Sequence, residues 1–199
     1  MSTNESGGMR ERKKLATREA LSAAALRLAL EHGPQNVRVD DIAEAAGVSP
    51  RTYNNYFSSR EQAIIVALAA EPGARVAAAL RKRPVDEPLE HAVVGALIEQ
   101  YSDGGEPDHD TLALITSAPA LQAEFLDTIA AIERPLAEAI AARTDGQGEL
   151  GPEVLAAAVS GAARIAAERW LQPEPATTFS VLLHDALTWI APALRAADR

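Results

Sequence analysis

The 199-residue sequence predicts an all-α fold in two parts, and three observations carry that reading. Alanine and leucine, both strong helix formers, are abundant, whereas Val, Ile and Thr never alternate with polar residues at the period of a strand. Apolar residues instead recur at i, i+3, i+4 and i+7, between glycines and prolines that punctuate the chain. Only eight residues are aromatic (2 Trp, 3 Tyr, 3 Phe), and no strand–helix–strand alternation appears.

The first helix is expected from about Leu15 to His32. Leu21, Ala24, Ala25 and Leu28 form its stripe, and Gly33-Pro34 ends it. A short helix follows from about Val39 to Ala46, with Val39, Ile42, Ala43 and Ala46 on one face and Gly47 as its stop. Ser49-Pro50 restarts a helix that runs to about Phe57; Ser caps it and Pro sits in the first turn, where a missing N–H costs nothing. Ser59 and Gln62 have capping-box spacing and open a fourth helix toward Leu80. A linker is placed near Glu71–Pro88, whose last eight residues hold two prolines and five charges. Helical segments then read as Leu89–Tyr101, Asp110–Ser117, Pro119–Arg143, Glu153–Leu171 and Thr177–Ala191, the last stopped by Pro192. Pro135 should kink the long one and free the carbonyl near Ala131. The resulting organisation is a disordered tail at 1–9, a domain at 10–70 and a larger helical domain at 71–199.

Composition excludes several classes. There is no cysteine, so no disulfide framework or Cys-ligated zinc. The longest apolar run, Ala63–Ala70, falls far short of the roughly 18 residues of a membrane span, and Met1–Gly8 has no apolar leader core. A cytoplasmic protein with no membrane partner is expected. The net charge of −9 is unevenly spread: residues 1–60 carry +2 and residues 61–199 carry −11. Arg10, Arg12, Lys13, Lys14 and Arg18 stand against one acid, Glu11, within nine residues. A basic edge on an acidic body is the layout of a nucleic-acid reader whose other domain stays off the phosphates, although a solvated basic tail has the same charge pattern.

The informative stretch is Val39 to Phe57. Two short helices joined by a glycine turn form a helix-turn-helix, in which the second helix enters the DNA major groove. Small Ala43 allows close helix approach, Gly47 takes the unusual backbone angle, and Val48 and Tyr53 plug the gap beneath. The face left over is Pro50, Arg51, Thr52, Asn54, Asn55 and Tyr56. Arg pairs with guanine, Asn with adenine, and Thr meets a thymine methyl or a phosphate. A merely solvated helix would carry Glu and Lys, and this one carries neither.

These residues resemble the TetR family of regulators over about Lys13–Leu68. The match is carried by Asp41-Ile-Ala, Ala46-Gly-Val-Ser, Thr52 to Phe57 and Ser59-Arg-Glu61 at the family's spacing. The resemblance implies that Thr52 and Tyr56 hold phosphates, that Arg60 grips the backbone at the start of the fourth helix, and that Arg51 and Asn55 read bases. Position 54, usually aromatic in the family, is Asn; position 38, often a capping Ser or Thr, is Arg38, which can reach phosphate but cannot cap. The last two helices look like the family's dimerisation pair. Phe179, Leu182, Leu183, Ala186, Leu187 and Ile190 make one stripe, and Ala158, Ser160, Gly161 and Ala162 are small enough for close approach. The same stripes could instead form the monomer's own core. A homodimer on a palindromic double-stranded DNA operator is the implied assembly.

Catalytic signatures are absent: no Gly-x-Ser-x-Gly, no phosphate loop and no His-Glu-x-x-His. No enzyme, cofactor or metal site is expected, and Asp108-His109-Asp110 reads as a solvent loop. His184 is expected on the surface, and Trp170 and Trp189 as packing residues. An effector chamber is placed among the helices after the DNA reader. Phe125, Ile129 and Ile132, with Leu121 and Leu136, form its apolar wall, and Tyr101, Thr128 and Arg134 supply the nearest polar groups. Arg134 can equally pair with Glu138 on the helix surface. That composition suits a mostly apolar effector, and Leu121–Arg143, with Leu155–Leu171 after it, resembles an actinobacterial branch of the family, which implies an acyl-CoA or another lipophilic metabolite. The alternative from another class is a helical small-molecule or protein-binding module without DNA binding, for which Asn54 speaks; an all-α enzyme is third.

Overall fold

Thirty residues, Thr3–His32, form the first helix, α1, in the computed structural model, which describes residues 3–68, 72–102, 109–144, 150–172 and 177–198. The chain separates into two compact units, Met1–Ala70 with Ala113–Glu124 and Glu71–Leu112 with Phe125–Arg199. Residues 113–124, which chain order assigns to the second domain, thus group with the first.

In the first unit α1 begins well before the expected Leu15 and takes in most of the residues read as a disordered tail. Its first turns have local support, the Arg12 side chain donating from Nε to the Gly8 carbonyl at 3.2 Å. Leu21, Ala24 and Ala25 are buried as the stripe predicts. Gly33, at φ 79°, ends the helix, and a 3₁₀ turn at Pro34–Asn36 leads to α2 (Val39–Ala45). Gly47, at φ 69°, makes the turn to α3 (Pro50–Tyr53), and α4 spans Arg60–Leu68. α4 packs along α1, and α2 lies against α1 and α3. Ile42, Ala43, Tyr53, Ala63, Ile64 and Ile65, each at most 1% exposed, form the core between them.

The second unit corrects the expected linker. Pro72–Lys82 is a helix, α5, because Val76, Ala77 and Leu80 lie on one buried face and its prolines sit at or beyond its ends. The turn after it is clamped rather than loose. Arg143 donates to the carbonyls of Arg83 (3.1 Å), Pro84 (2.7 Å) and Glu87 (3.0 Å), three acceptors of the turn itself. Arg83 pairs with Glu87 at 2.7 Å, and that hydrogen bond holds the Glu87 carboxyl below the usual carboxylate range.

α6 (Leu89–Ser102) and α7 (His109–Thr116) precede α8 (Pro119–Ala130) and α9 (Glu133–Ala141). The single long helix expected at Pro119–Arg143 is therefore two helices, with the break at Ala131-Ile132, four residues before the proline that removes the helical donor. The break is packed closely: a Cβ on Gly73 would lie 3.1 Å from the Ala131 carbonyl oxygen, and Ser160 Oγ reaches the Ala130 carbonyl at 3.4 Å. α10 (Leu150–Trp170) lies between α9 and α11 (Phe179–Thr188). By length and composition α10 could cross a membrane, but it is a core helix with ten buried residues. Pro192, expected to stop the last helix, instead sits in the first turn of α12 (Ala191–Ala196), where proline is tolerated. The C-terminal residues reach back to α6: Asp198 accepts from the Leu89 N–H at 2.9 Å, and Arg195 pairs with Glu90 at 2.7 Å.

Candidate nucleic-acid interface

The helix-turn-helix is assembled by local bonds that leave one polar face outward. Val48 N–H donates to Ala43 O at 2.9 Å across the glycine turn. Ser49 caps α3, its Oγ accepting from Thr52 N–H at 3.2 Å and lying 2.9 Å from Thr52 Oγ1. Tyr53 turns inward, 1% exposed, and donates its hydroxyl to the Ser59 carbonyl at 2.7 Å. Burial, with the Glu61 charge second, pushes its phenol up to about 12. Its ring lies 5.7 Å from that of Phe57, over which the Arg18 guanidinium sits at 5.8 Å. After Tyr53 the helical turn tightens, with Asn55 N–H donating to Thr52 O and Tyr56 N–H to Tyr53 O, so regular α-helix stops short of the expected Phe57.

The consequence is a surface of the expected residues. Pro50, Arg51, Asn54 and Asn55 are exposed, and Thr52 and Tyr56 are half-buried. Arg38 is exposed at the start of α2, and it does not cap: Asp41 instead takes the Arg38 N–H at 3.2 Å. Arg60 is engaged by acceptors of the protein itself. Its Nη1 donates to the carbonyls of Gln35 (3.2 Å) and Val37 (2.9 Å), and its Nε pairs with Glu61 at 2.8 Å. A guanidinium held by three protein acceptors ties α4 to the segment before α2.

The dimerisation stripe is divided between two faces. Phe179, Leu183 and Leu187 are at most 2% exposed within their own unit, so the expectation that they meet a partner fails. Phe179 lies 5.8 Å from Trp170, whose ring is 6.3 Å from Phe125. Leu182 and Ile190 instead line, with Ala158, Gly161, Ala162, Ile165, Ala186 and Trp189, a groove of about 580 Å³ between α10 and α11. Ile165 and Trp189 were missed. Trp189 is 88% exposed, contrary to its reading as a packing residue, and Ile165 is 49% exposed. With Leu150 and Val154, Ile165 makes an exposed apolar row spaced i, i+4, i+15 on the outer side of α10, and that signal was available in the sequence.

Of the effector candidates, Phe125, Ile129 and Ile132 are buried in the second unit and Thr128 is half-buried. The Tyr101 side chain lies outside the described residues, as do Asp108 and the side chain of His109. Arg134 is a surface residue paired with Glu138 at 3.5 Å, and so leaves the wall. His184 is exposed as expected.

Comparison with known proteins agrees with this geometry. Residues 21–64 match the tetR family of bacterial regulatory proteins, and residues 83–195 match the MftR C-terminal domain. The chain is 33% identical over 180 residues to the HTH-type transcriptional regulator TcmR of Streptomyces glaucescens, spanning 85% of this chain and 79% of that one. It is 29% identical to the putative mycofactocin biosynthesis transcriptional regulator MftR of Mycobacterium tuberculosis, over 88% of each chain. Among solved structures, FadR of Thermus thermophilus, a TetR-family transcriptional repressor in complex with lauroyl-CoA, aligns with 88% of this chain and 93% of its own at 24% identity and a TM-score of 0.48. The matched relatives are described as transcriptional regulators. With both halves matched in order, this chain belongs to the TetR family of helix-turn-helix transcription regulators.

Proposed function

We propose that the protein is a cytoplasmic repressor that binds a two-fold symmetric DNA site as a homodimer and leaves it when a mostly apolar effector enters the second unit. The observation that carries the reading is the outward face of the recognition segment. Arg51, Asn54 and Asn55 are exposed there, and Thr52 and Tyr56 are half-buried and able to meet phosphates. Homodimerisation is supported by the α10–α11 groove, where Trp189 and Ile165 leave large apolar side chains in water. The effector class is supported by the apolar character of Phe125, Ile129 and Ile132, with Thr128 as a polar neighbour; acyl-CoAs are the first compounds to offer.

The test is selection of duplexes from a randomised pool by the purified protein, followed by sedimentation of the complex. Two protomers on an inverted repeat are expected. Selection of no sequence would turn the reading toward a binding module without DNA. Acyl-CoAs of increasing chain length are then titrated into the complex. Release should strengthen by about 0.8 kcal/mol per buried methylene until the chamber is full. Release that ignores chain length would point to other effector chemistry.

A further inference from the structure

The helix-turn-helix leaves a second basic surface unexplained. α1 extends about five turns N-terminal to Leu21, and Arg10, Arg12, Lys13 and Lys14 are all exposed along that extension. Arg10, Lys14 and Arg18 are spaced i, i+4, i+8, so they lie on one face, and Leu21 and Ala25 continue that face into the core. Arg18 fixes where the stripe meets the reader, because its guanidinium stands over Phe57, immediately after Tyr56. At a helical rise of about 1.5 Å per residue, Lys14 lies about 6 Å and Arg10 about 12 Å farther along α1.

We propose that Arg10 and Lys14 form an auxiliary phosphate-binding element that holds the DNA backbone beyond the base pairs read by Pro50–Tyr56. The occupant follows from charge and continuity. A cationic stripe adjoining the readout segment meets a polyanion there, and phosphate contacts add affinity without base preference. This rests on the DNA-binding reading above.

The experiment compares wild type, Arg10→Ala/Lys14→Ala and the charge-keeping Arg10→Lys/Lys14→Arg on duplexes that the wild type selects, over a range of salt concentrations. Alanine preserves the helix, which circular dichroism checks. The alanine variant should bind roughly tenfold more weakly at low salt, with its salt slope reduced by about 1.8 for each bound protomer. Preferred bases should be unchanged, and the charge-keeping variant should restore both affinity and slope. An alanine variant with the wild-type slope overturns the proposal, as does one with altered base preference. Failure of the wild type to select any sequence is a different result, because it removes the DNA-binding reading before a variant is made.

Discussion

The outer faces of α3 and of α11 are both exposed, and they are built from opposite chemistry. Around α3 the exposed positions other than Pro50 are polar or cationic, and the one aromatic side chain of that helix, Tyr53, is turned inward with its hydroxyl satisfied by Ser59. Along α11 the buried row Phe179, Leu183 and Leu187 is flanked by a second row on the adjoining side, where Leu182 and Ile190 are half-buried and Trp189 stands in water. A helix with one apolar face has its burial decided by its pattern. A helix with two does not, because hydrophobicity says that a residue leaves water but not which neighbour covers it.

The largest expected effect separates those two rows. Leu183→Asp should destabilise the second unit by about 4 kcal/mol or more, since it places a charge in a site with no water and no partner. Trp189→Asp should leave the unfolding midpoint nearly unchanged and shift sedimentation toward monomer. Equal stability losses in denaturant titrations of the two variants would erase the distinction between the faces. Next comes Arg60→Ala. Loss of its bonds to the Gln35 and Val37 carbonyls should cost the first unit about 2 kcal/mol, read by chemical denaturation, with no change in the salt dependence of DNA binding. A slope reduced by about one would return Arg60 to the phosphates.

Arg51→Ala should relax preference at one base pair of each half-site by about 1–3 kcal/mol, measured by repeating the duplex selection with the variant. The smallest effect concerns Tyr53. Its phenol is held protonated up to about 12, above the ordinary value of 10.0, so the stabilisation is fully present below pH 10 and is lost as pH rises through 12. Tyr53→Phe should cost about 1 kcal/mol at neutral pH through the lost bond to Ser59, and should flatten the fall in stability between those pH values relative to wild type. Parallel alkaline unfolding curves for the two proteins would show that the phenol does not carry that dependence.

Much of the reader was legible in the sequence because its determinants are local. Gly47, the Ser49 cap and the Ser59–Gln62 pair each act over four residues or fewer, and they set the turn and the start of α4 as expected. The clasp made by Arg60 was not legible, since it joins residues 25 apart that only folding brings together. The same holds for Arg143, whose partners at Arg83 and Pro84 turn an expected linker into a fixed corner. Proline position mattered as much as proline presence. Pro135, expected only to kink a helix, is preceded by a full break, whereas Pro72 and Pro192 sit at helix starts, where the missing donor is harmless.

The bond from Leu89 to Asp198 spans 109 residues of chain, and this has a consequence for how the protein is made. During synthesis α6 emerges long before the carboxylate that satisfies its first N–H, and α7 to α11 must be translated in between. The reader's Arg60 clasp closes soon after its own segment appears. A growing chain therefore carries a nearly finished reader ahead of an unfinished second unit, and stalled or clipped products that lack the last residues should be rich in the former and poor in the latter.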